Sequence, residues 1–213
     1  MSREFVSAGY NVVDSINSAD IYVLNTCTVT STADSKARQA LRAAHRKNPN
    51  ALIVAAGCYS QRAEDELLNM PEVSLVVKNT EKDSILGLIN NIRQVDKPAV
   101  NSIEQPLETT LSRCRAMVKI QEGCNQICSY CIVPKVRGRE KSIPSSILIN
   151  QIKGLVSEGY REVVLTGTQL GAYGFDLPEA SLPELIQRIL EETEIPRLRV
   201  SSLQPQEISQ QLL

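Results

Sequence analysis

Short apolar runs alternate along the chain with segments whose apolar residues recur at helical spacing. In the first half, three runs rich in strand-forming residues predict β-strands at residues 21–24, 52–56 and 73–77. Helical periodicity predicts helices at residues 31–47, 61–70 and 84–93, after the end of a helix at residues 3–9. Strand alternating with helix is typical of a parallel sheet with helical crossovers, so this half is predicted to be an α/β domain.

The same alternation resumes after residue 113. Strands are predicted at residues 115–120, 162–166 and 197–201, and helices at 145–158, 182–193 and 206–213. Three strand–helix steps are too few to close a barrel, so this block is predicted to be an incomplete one. Residues 98–113, with Pro98, Pro106 and no clear period, are predicted to link domains at 1–97 and 114–213. Because the pattern opens inside a helix and stops as another begins, we expect a piece of a longer protein.

Composition and charge argue against several classes of protein. Apolar residues make up 42% of the sequence, enough for a core, and the net charge of −1 predicts no general attraction to nucleic acid or membranes. No run approaches the roughly 18 apolar residues of a membrane span, and residues 1–10 lack the layout of a signal peptide, so we expect a cytoplasmic protein. In that reducing compartment the six cysteines favour metal or redox chemistry over disulfides, and the single His45 argues against a histidine-based zinc enzyme.

Three of the cysteines, Cys124, Cys128 and Cys131, lie within one short stretch after the strand predicted at 115–120. Thiolates are soft ligands that favour iron–sulfur clusters, zinc or copper. Zinc sites usually take four ligands in paired close spacings, and no fourth ligand is near in the sequence. A cubane cluster held by three cysteines leaves one iron for a ligand from outside the protein. The spacing therefore favours a [4Fe–4S] cluster, with zinc or incidental thiols as the alternatives.

This cysteine spacing, after the first strand of a β/α series, resembles the radical S-adenosylmethionine superfamily. The resemblance implies that S-adenosylmethionine binds the open iron and is cleaved by one electron, giving a radical that abstracts hydrogen. It also implies that Tyr130 lies beside the adenine and that Gly167 belongs to a turn near the methionine part of the cofactor. A core or cluster-shielding aromatic and a plain strand-ending glycine are the alternatives for these two residues. Arg137 is a further candidate for contact with the cofactor.

Four motifs extend the resemblance over the whole chain, to the methylthiotransferase family. They are NTCTVT at residues 25–30, AGCYSQ at 56–61, IQEGC at 120–124 and PKVRG at 134–138. The family joins an N-terminal α/β domain, a radical barrel and a small C-terminal RNA-binding barrel. The resemblance therefore implies an N-terminal parallel-sheet methylthiotransferase domain, followed by the first half of a radical S-adenosylmethionine (β/α) partial barrel.

A second cysteine pair, Cys27 and Cys58, lies at the carboxyl ends of two predicted strands, one strand–helix unit apart. The two residues should therefore share one edge of the sheet. The resemblance implies that they are ligands of an auxiliary [4Fe–4S] cluster, which the family holds on three cysteines; buried structural thiols are the alternative. No cysteine precedes Cys27, so this second cluster is expected to lack one ligand. Cys114, beside the predicted linker, is interpreted as a free thiol.

Within the family, TVTSTADSKARQ at residues 28–39 and NPNA at 48–51 are most similar to one branch. That branch adds a methylthio group to C2 of N6-threonylcarbamoyladenosine beside the tRNA anticodon, giving ms2t6A. The implied partners are the tRNA anticodon loop and an electron donor such as flavodoxin or ferredoxin. The alternatives are the same chemistry on isopentenyladenosine in tRNA or on a ribosomal protein, an inactive fragment, and a zinc-stabilised nucleic-acid-binding module.

Two departures from the family and two basic patches bear on binding. Ile143 stands where the family usually has arginine, and Gln204 where it often has glutamate, which could weaken contacts with the cofactor or RNA. The helix at 31–47 carries a basic set interpreted as a solvated face: Lys36, Arg38, Arg42, Arg46 and Lys47. The cysteine loop carries a second set, for which contact with RNA phosphates is favoured: Lys135, Arg137, Arg139 and Lys141.

Overall fold

The computed structural model of the chain describes residues 1–13, 19–93, 114–126, 128–201 and 203–212. The chain divides into two compact units, Met1–Ile103 and Glu104–Leu213. The linker predicted at residues 98–113 lies outside the described residues. Over the described ranges, none of the helices combines the length and the apolar character that a membrane crossing requires.

The first unit is built from short strands, each followed by helix. In chain order its elements are α1 (Ser2–Ser7), β1 (Ile21–Thr26), α2 (Ser31–Lys47), β2 (Leu52–Gly57), α3 (Cys58–Arg62), α4 (Glu64–Leu68), β3 (Leu75–Val77), a 3-10 helix (Asn79–Ser84) and α5 (Ile85–Arg93). The strands form one parallel sheet in the order β1–β2–β3, as the alternation predicts. Helix α2 starts at its predicted residue because the Thr30 hydroxyl caps it, accepting the backbone N–H of Ala33 at 3.1 Å.

Strand β2 is the centre of this unit because both of its faces are covered. Ile53 and Ala55 cluster with buried residues of α2 on one side. Val54 and Ala56 cluster with buried residues of α5 on the other. The uninterrupted apolar sequence of β2 is therefore that of a parallel strand buried on both faces.

One helix of the first unit differs from the prediction. Helical spacing predicts a single helix at residues 61–70, but the structure has α3 and α4, which meet at Ala63. Ala63 leaves the helical conformation with φ −138° and ψ 55°, and its carbonyl accepts the N–H of Leu67 to begin α4. Helix α3 also begins earlier than predicted, directly after β2, and its residue Tyr59 is buried. After the turn at Ala63 the chain changes direction, and Leu67 of α4 is buried as well.

The second unit repeats the strand–helix alternation. Its elements are β4 (Arg115–Lys119), β5 (Gln121–Glu122), α6 (Val133–Arg137), β6 (Lys141–Ser142), α7 (Ser145–Ser157), β7 (Glu162–Thr166), a 3-10 helix (Leu170–Ala172), α8 (Leu182–Glu192), β8 (Arg197–Val200) and a 3-10 helix (Pro205–Glu207). Strands β4, β7 and β8 form a parallel sheet in the order β4–β7–β8, while β5 and β6 pair separately and antiparallel.

The two faces of the β4–β7–β8 sheet differ in character. Ala116, Val118, Val163 and Leu165 belong to the buried core on the side that α7 and α8 cover. The alternate residues of the strands form the opposite face, where Met117 is 74% exposed. That face also carries four cations: Arg115, Lys119, Arg197 and Arg199. Three parallel strands with helices on one side confirm the predicted incomplete barrel.

The helix predicted at residues 206–213 is wrong for the residues that the structure describes. Between 203 and 212 there is one 3-10 turn, Pro205–Glu207, followed by turns without α-helix. The side chain of Glu207 folds back, and its carboxylate accepts the backbone N–H of Gln204 at 2.9 Å. The carboxylate also accepts the side-chain amide of Gln169, so this turn is drawn towards the sheet instead of continuing as a helix.

Candidate metal centre

The loop that carries Cys124, Cys128 and Cys131 is closed at its base by the short strands β5 and β6. Gln121 pairs with Ser142, and Glu122 pairs with Lys141. Directly above this pair, the backbone N–H of Cys124 donates to the carbonyl of Gly138 at 3.1 Å. The two ends of the loop, which we call the neck, are therefore fixed to each other.

Asn125 and Glu140 close the neck further from either side. The backbone and side-chain N–H groups of Asn125 each donate to a different carboxylate oxygen of Glu140 at 3.1 Å. In return, the backbone N–H of Glu140 donates to the side-chain oxygen of Asn125 at 3.3 Å. This reciprocal pairing satisfies backbone groups that the short strands leave open.

Gly123 permits the close approach of the two sides of the neck. Its φ is +77°, and a Cβ atom at this position would lie 2.0 Å from the carbonyl oxygen of Arg139. Backbone atoms cannot rotate away as a side chain can, so only glycine fits both the conformation and the space.

The three cysteines differ in exposure although all are free thiols. Cys124 is buried, Cys128 is exposed and Cys131 is partly buried. The backbone N–H of Cys131 donates to the carbonyl of Cys128 at 3.1 Å, which makes a tight turn between them. Over the described ranges, no three His, Cys, Asp or Glu side chains converge as ligands. The structure thus holds the base of the loop but does not bring the three sulfurs together, and their role as cluster ligands stays a prediction.

The sulfur of Cys124 contacts side chains and backbone of the second unit. The Cys124 thiol donates to Oε1 of Gln169 at 3.8 Å, and Gln169 is itself buried. The backbone N–H of Gln126 donates to the Cys124 sulfur at 3.4 Å. Cys124 is therefore a member of the triplet whose sulfur is buried and hydrogen-bonded.

Gln121 is a site residue that sequence reasoning missed. Its side chain is 1% exposed and joins the cysteine loop to the loop after β7. Its amide nitrogen donates to the carbonyls of Glu122 and Gly123, while its amide oxygen accepts the backbone N–H groups of Thr168 and Gln169, all at 2.9–3.1 Å. The available signals were its place in the motif IQEGC and its position directly after a strand and just before the cysteines.

Two of the three predicted cofactor contacts, Gly167 and Arg137, lie at the turn after β7. Gly167 has no left-handed φ; a Cβ there would lie 2.9 Å from Leu170 and 3.1 Å from the carbonyl oxygen of Gln121, so close packing explains this glycine. Nη1 of Arg137 donates to the hydroxyl of Thr168 at 3.3 Å, which places Arg137 beside the same turn. Tyr130 is 92% exposed, so the interpretation as a core aromatic is wrong.

A cavity of about 460 Å³ borders the neck on the side of Gln169. Its lining includes two carboxylates, Glu140 and Glu207, and the exposed ring of Phe175. A mixed lining of carboxylates, amides and one aromatic ring suits a polar ligand that carries a positive charge and an aromatic part.

Two side chains near β6 have shifted pKa values. Burial raises the pKa of Tyr173 to about 12, and its hydroxyl donates to the carbonyl of Ile143 at 2.8 Å. For Asp176, burial acts to raise the pKa, but hydrogen bonds, chiefly from Ser142, and the nearby charge of Lys141 together lower the pKa below its usual value. One of these bonds is the backbone N–H of Ser142, which donates to Asp176 at 2.9 Å. Both residues therefore support the segment that leaves the neck.

Cys27 and Cys58 follow neighbouring strands at the same edge of the first sheet. Thr26 and Gly57, the last residues of β1 and β2, are direct partners in the ladder, and a cysteine follows each. Cys27 is exposed, whereas Cys58 is buried and accepts a hydrogen bond from the Asn79 amide at 3.4 Å. No other cysteine occurs before residue 114, so this unit offers two thiols instead of the three that the resemblance implies.

An arginine fixes the loop that carries Cys27 to the helix that carries Cys58. Nε of Arg62 donates to the hydroxyl of Thr28 at 2.7 Å, and Nη2 donates to the buried carboxylate of Asp34 at 2.6 Å. The same guanidinium lies over the ring of Tyr59, 5.3 Å from its centroid. The surroundings of both cysteines are therefore tied to one side chain.

The remaining predicted residues have plainer surroundings. Cys114 is an exposed free thiol, and its backbone carbonyl accepts the N–H groups of Arg161 and Glu162. In the basic set of α2, Arg38 pairs with Glu66 at 2.9 Å and Arg42 pairs with Glu72 at 3.7 Å. These pairs favour the interpretation of that set as a solvated face.

Known proteins match the chain over all of its length. Residues 1–78 match the family described as "Uncharacterized protein family UPF0004". The chain is 38% identical to threonylcarbamoyladenosine tRNA methylthiotransferase MtaB of Aquifex aeolicus, covering 100% of this chain and 54% of the relative. It is 36% identical to MtaB of Bacillus subtilis, covering 98% and 49%. It is also 36% identical to tRNA-2-methylthio-N(6)-dimethylallyladenosine synthase of Syntrophobacter fumaroxidans, covering 99% and 49%.

Among solved structures, the fold is similar to that of the radical S-adenosylmethionine methyltransferase TsrM from Kitasatospora setae. The TM-score is 0.56 at 15% identity, covering 92% of this chain and 46% of TsrM. This likeness concerns the fold and agrees with the predicted partial barrel. The chain spans about half the length of the curated relatives it matches. By sequence, the whole chain is thus similar to methylthiotransferases that act on tRNA, MtaB among them.

Proposed function

We propose that this chain is part of a tRNA methylthiotransferase that adds a methylthio group to C2 of N6-threonylcarbamoyladenosine beside the anticodon. The observation that carries the proposal is the triplet Cys124, Cys128 and Cys131, on a loop closed at its neck beyond the carboxyl end of β4. Two relatives that carry the name of this activity match the chain over 100% and 98% of its length. The dimethylallyladenosine synthase among the relatives makes that nucleoside the second candidate substrate.

The donor set of the cysteine loop fits an iron–sulfur cluster. Three thiols, none in a disulfide, follow a neck that hydrogen bonds hold shut, so only the outer part of the loop has to rearrange around a metal. Cys124, Cys128 and Cys131 would hold the cluster, and no fourth cysteine is near in the sequence. When bound, the cluster supplies one electron for the reductive cleavage of S-adenosylmethionine, whose radical product abstracts hydrogen from carbon.

The chain's own residues would position this chemistry. The Gln121 side chain holds the base of the cysteine loop against the backbone of Thr168 and Gln169, so hydrogen bonds join the two loops. Arg137 reaches the same turn and would contact the anionic carboxylate of S-adenosylmethionine. Tyr130, exposed between Cys128 and Cys131, would cover the adenine, and Gly167 lets the turn approach closely.

The auxiliary cluster does not fit the donor set of this chain as it stands. Cys27 and Cys58 offer two thiolates at one sheet edge, where three are implied. We therefore keep these two cysteines as proposed ligands of a second cluster and derive no step from it.

RNA would be held through phosphates near the cysteine loop, which carries Lys135, Arg139 and Lys141 around the neck. A reducing protein such as flavodoxin or ferredoxin would supply electrons, and the reaction would take place in the cytoplasm. The support for these partners is the tRNA chemistry in the names of the relatives and the redox chemistry that three thiolates favour.

Anaerobic reconstitution with iron and sulfide tests the cluster. Wild-type chain should turn brown, bind iron and form 5′-deoxyadenosine from S-adenosylmethionine when a reductant is added. The triple variant Cys124→Ala, Cys128→Ala, Cys131→Ala should form no 5′-deoxyadenosine and bind less iron than wild type, and Cys114→Ala is the matched control that should behave like wild type. A colourless, zinc-loaded product, or equal iron content in the triple variant, would refute the proposal.

Mass spectrometry of tRNA nucleosides tests the substrate. A strain that lacks the gene should lose the 2-methylthio derivative of N6-threonylcarbamoyladenosine and keep that of the isopentenylated nucleoside. The opposite loss would establish the second candidate instead.

A further inference from the structure

Glu207 and Gln169 form a pair next to Cys124. The side-chain nitrogen of Gln169 donates to Oε1 of Glu207, and the backbone N–H of Gln204 donates to Oε2 at 2.9 Å. Both oxygens of the carboxylate are therefore engaged, and the Glu207 side chain is fixed from two sides.

Gly171 provides the space for this carboxylate. A Cβ atom at residue 171 would lie 2.3 Å from Cδ of Glu207 and 2.5 Å from its Cγ. Any larger residue would push Glu207 away from Gln169. The contact between Glu207 and Gln169 thus depends on a glycine in the turn that follows β7.

The carboxylate determines which end of the Gln169 amide faces the cysteine. A carboxylate accepts hydrogen bonds but donates none, so it holds the amide nitrogen of Gln169 towards itself. The amide oxygen then points the other way, where it accepts the Cys124 thiol at 3.8 Å and the side-chain N–H of Gln204 at 3.4 Å. Gln169 is only 6% exposed, so its amide relies mainly on these protein partners.

A sulfur that ligates a metal has lost its proton and can only accept. An amide oxygen aimed at such a sulfur is unfavourable, whereas the same amide turned by half a rotation presents N–H to it. We propose that Gln169 is a positioning residue for Cys124: its amide turns over to donate to the metal-bound sulfur, and Glu207 opposes that turn. The inference rests on the proposed function, in which Cys124 ligates an iron–sulfur cluster.

Opposite effects are expected at the two positions. Groups that hydrogen-bond to metal ligands typically contribute 10–100-fold to metal affinity, and hydrogen bonds to cluster sulfurs shift the reduction potential. Gln169→Leu removes the donor, so it should weaken iron retention about 10-fold and lower the potential, because the more negative reduced cluster gains most from N–H groups. Glu207→Gln can donate to the turned Gln169 oxygen, so it should raise the potential above that of wild type.

Redox titration of the reconstituted chain, followed by electron paramagnetic resonance, separates the outcomes. Gln187→Leu and Glu191→Gln are matched controls, because Gln187 donates to Glu191 at 2.8 Å on the exposed face of α8. Potentials ordered as Glu207→Gln, then wild type and controls, then Gln169→Leu support the inference. A wild-type chain that retains iron, with Gln169→Leu and Glu207→Gln both at the control potential, overturns this inference alone. A wild-type chain that retains no iron overturns the proposed function with it.

Discussion

Gly123→Ala should open the neck of the cysteine loop. The added methyl group would lie 2.0 Å from the carbonyl oxygen and 2.5 Å from the carbonyl carbon of Arg139, far inside contact distance. Because both atoms belong to the backbone, the two sides of the neck have to separate. Gly138 is the matched control: its φ is also +77°, but a Cβ there would meet nothing within 4 Å.

The expected magnitude follows from what separation breaks. Alanine at positive φ costs about 1–3 kcal/mol at either position. Gly123→Ala also loses the bond from Cys124 to Gly138 and three exposed bonds between Asn125 and Glu140. At the lower end of about 0.5 kcal/mol per bond, these four bonds amount to roughly 2 kcal/mol beyond the shared strain.

Hydrogen–deuterium exchange measures this difference locally. The backbone amides of Cys124 and Asn125 should exchange about 30-fold faster in Gly123→Ala than in Gly138→Ala, since each 1.4 kcal/mol is a factor of about ten. Iron retention after reconstitution should fall in the same order. Equal exchange rates in the two variants would refute the assignment of Gly123 as the residue that allows the neck to close.

Three further predictions concern stability, measured as midpoints of urea unfolding. Arg62→Met should destabilise the first unit by about 1–3 kcal/mol, because it strips the buried Asp34 carboxylate of its partner. Arg42→Met, which loses only an exposed pair, should cost about 0.5 kcal/mol or less, and equal midpoints would contradict this reasoning. In the folded protein the pKa of Tyr173 is raised to about 12, whereas in the unfolded chain it is about 10. The stability that the neutral hydroxyl contributes is therefore complete below about pH 10 and is lost as the pH rises through the folded-state pKa. Tyr173→Phe should lack this alkaline loss, and a wild-type midpoint that stays level across that window would contradict it. Folding lowers the pKa of Asp176. The stability that its carboxylate contributes is therefore present above about pH 3.9, the unfolded-state pKa, and is lost as the pH falls through the folded-state pKa. Asp176→Asn should show a smaller acid loss than wild type, and identical acid profiles would count against the bond to Ser142.

Regular periodicity was sufficient to predict most of the fold. Helix α2 and strand β7 have the bounds that their apolar spacing predicts, since each is amphipathic or apolar over its full length. The break at Ala63 and the single turn at Pro205–Glu207 were not predictable in this way. At both places a side chain beside the turn reaches a distant partner: Arg62 reaches Asp34, and Glu207 reaches Gln169. Local propensity carries no information about such contacts.

The candidate site was predictable where its chemistry is concentrated in sequence. Three closely spaced cysteines predict a metal ligand set without any structure, because few other functions need them, and that role stays a prediction. The residues that hold the loop are not marked in this way. Gln121 and Gln169 are ordinary polar residues in sequence, and their importance comes from burial against backbone groups of another loop. Cys27 and Cys58 are intermediate: alternation predicts their shared sheet edge, whereas their metal role stays a prediction.

The bracket formed by Gln121 has a consequence for transplanting the cysteine loop. One side chain satisfies two carbonyls on its own segment and two N–H groups on the loop after β7. A graft of residues 121–142 alone onto another parallel sheet would leave that buried amide with half of its partners. Residues 167–169 would have to travel with it, so the smallest portable form of this centre is discontinuous in sequence and consists of two adjacent strand ends.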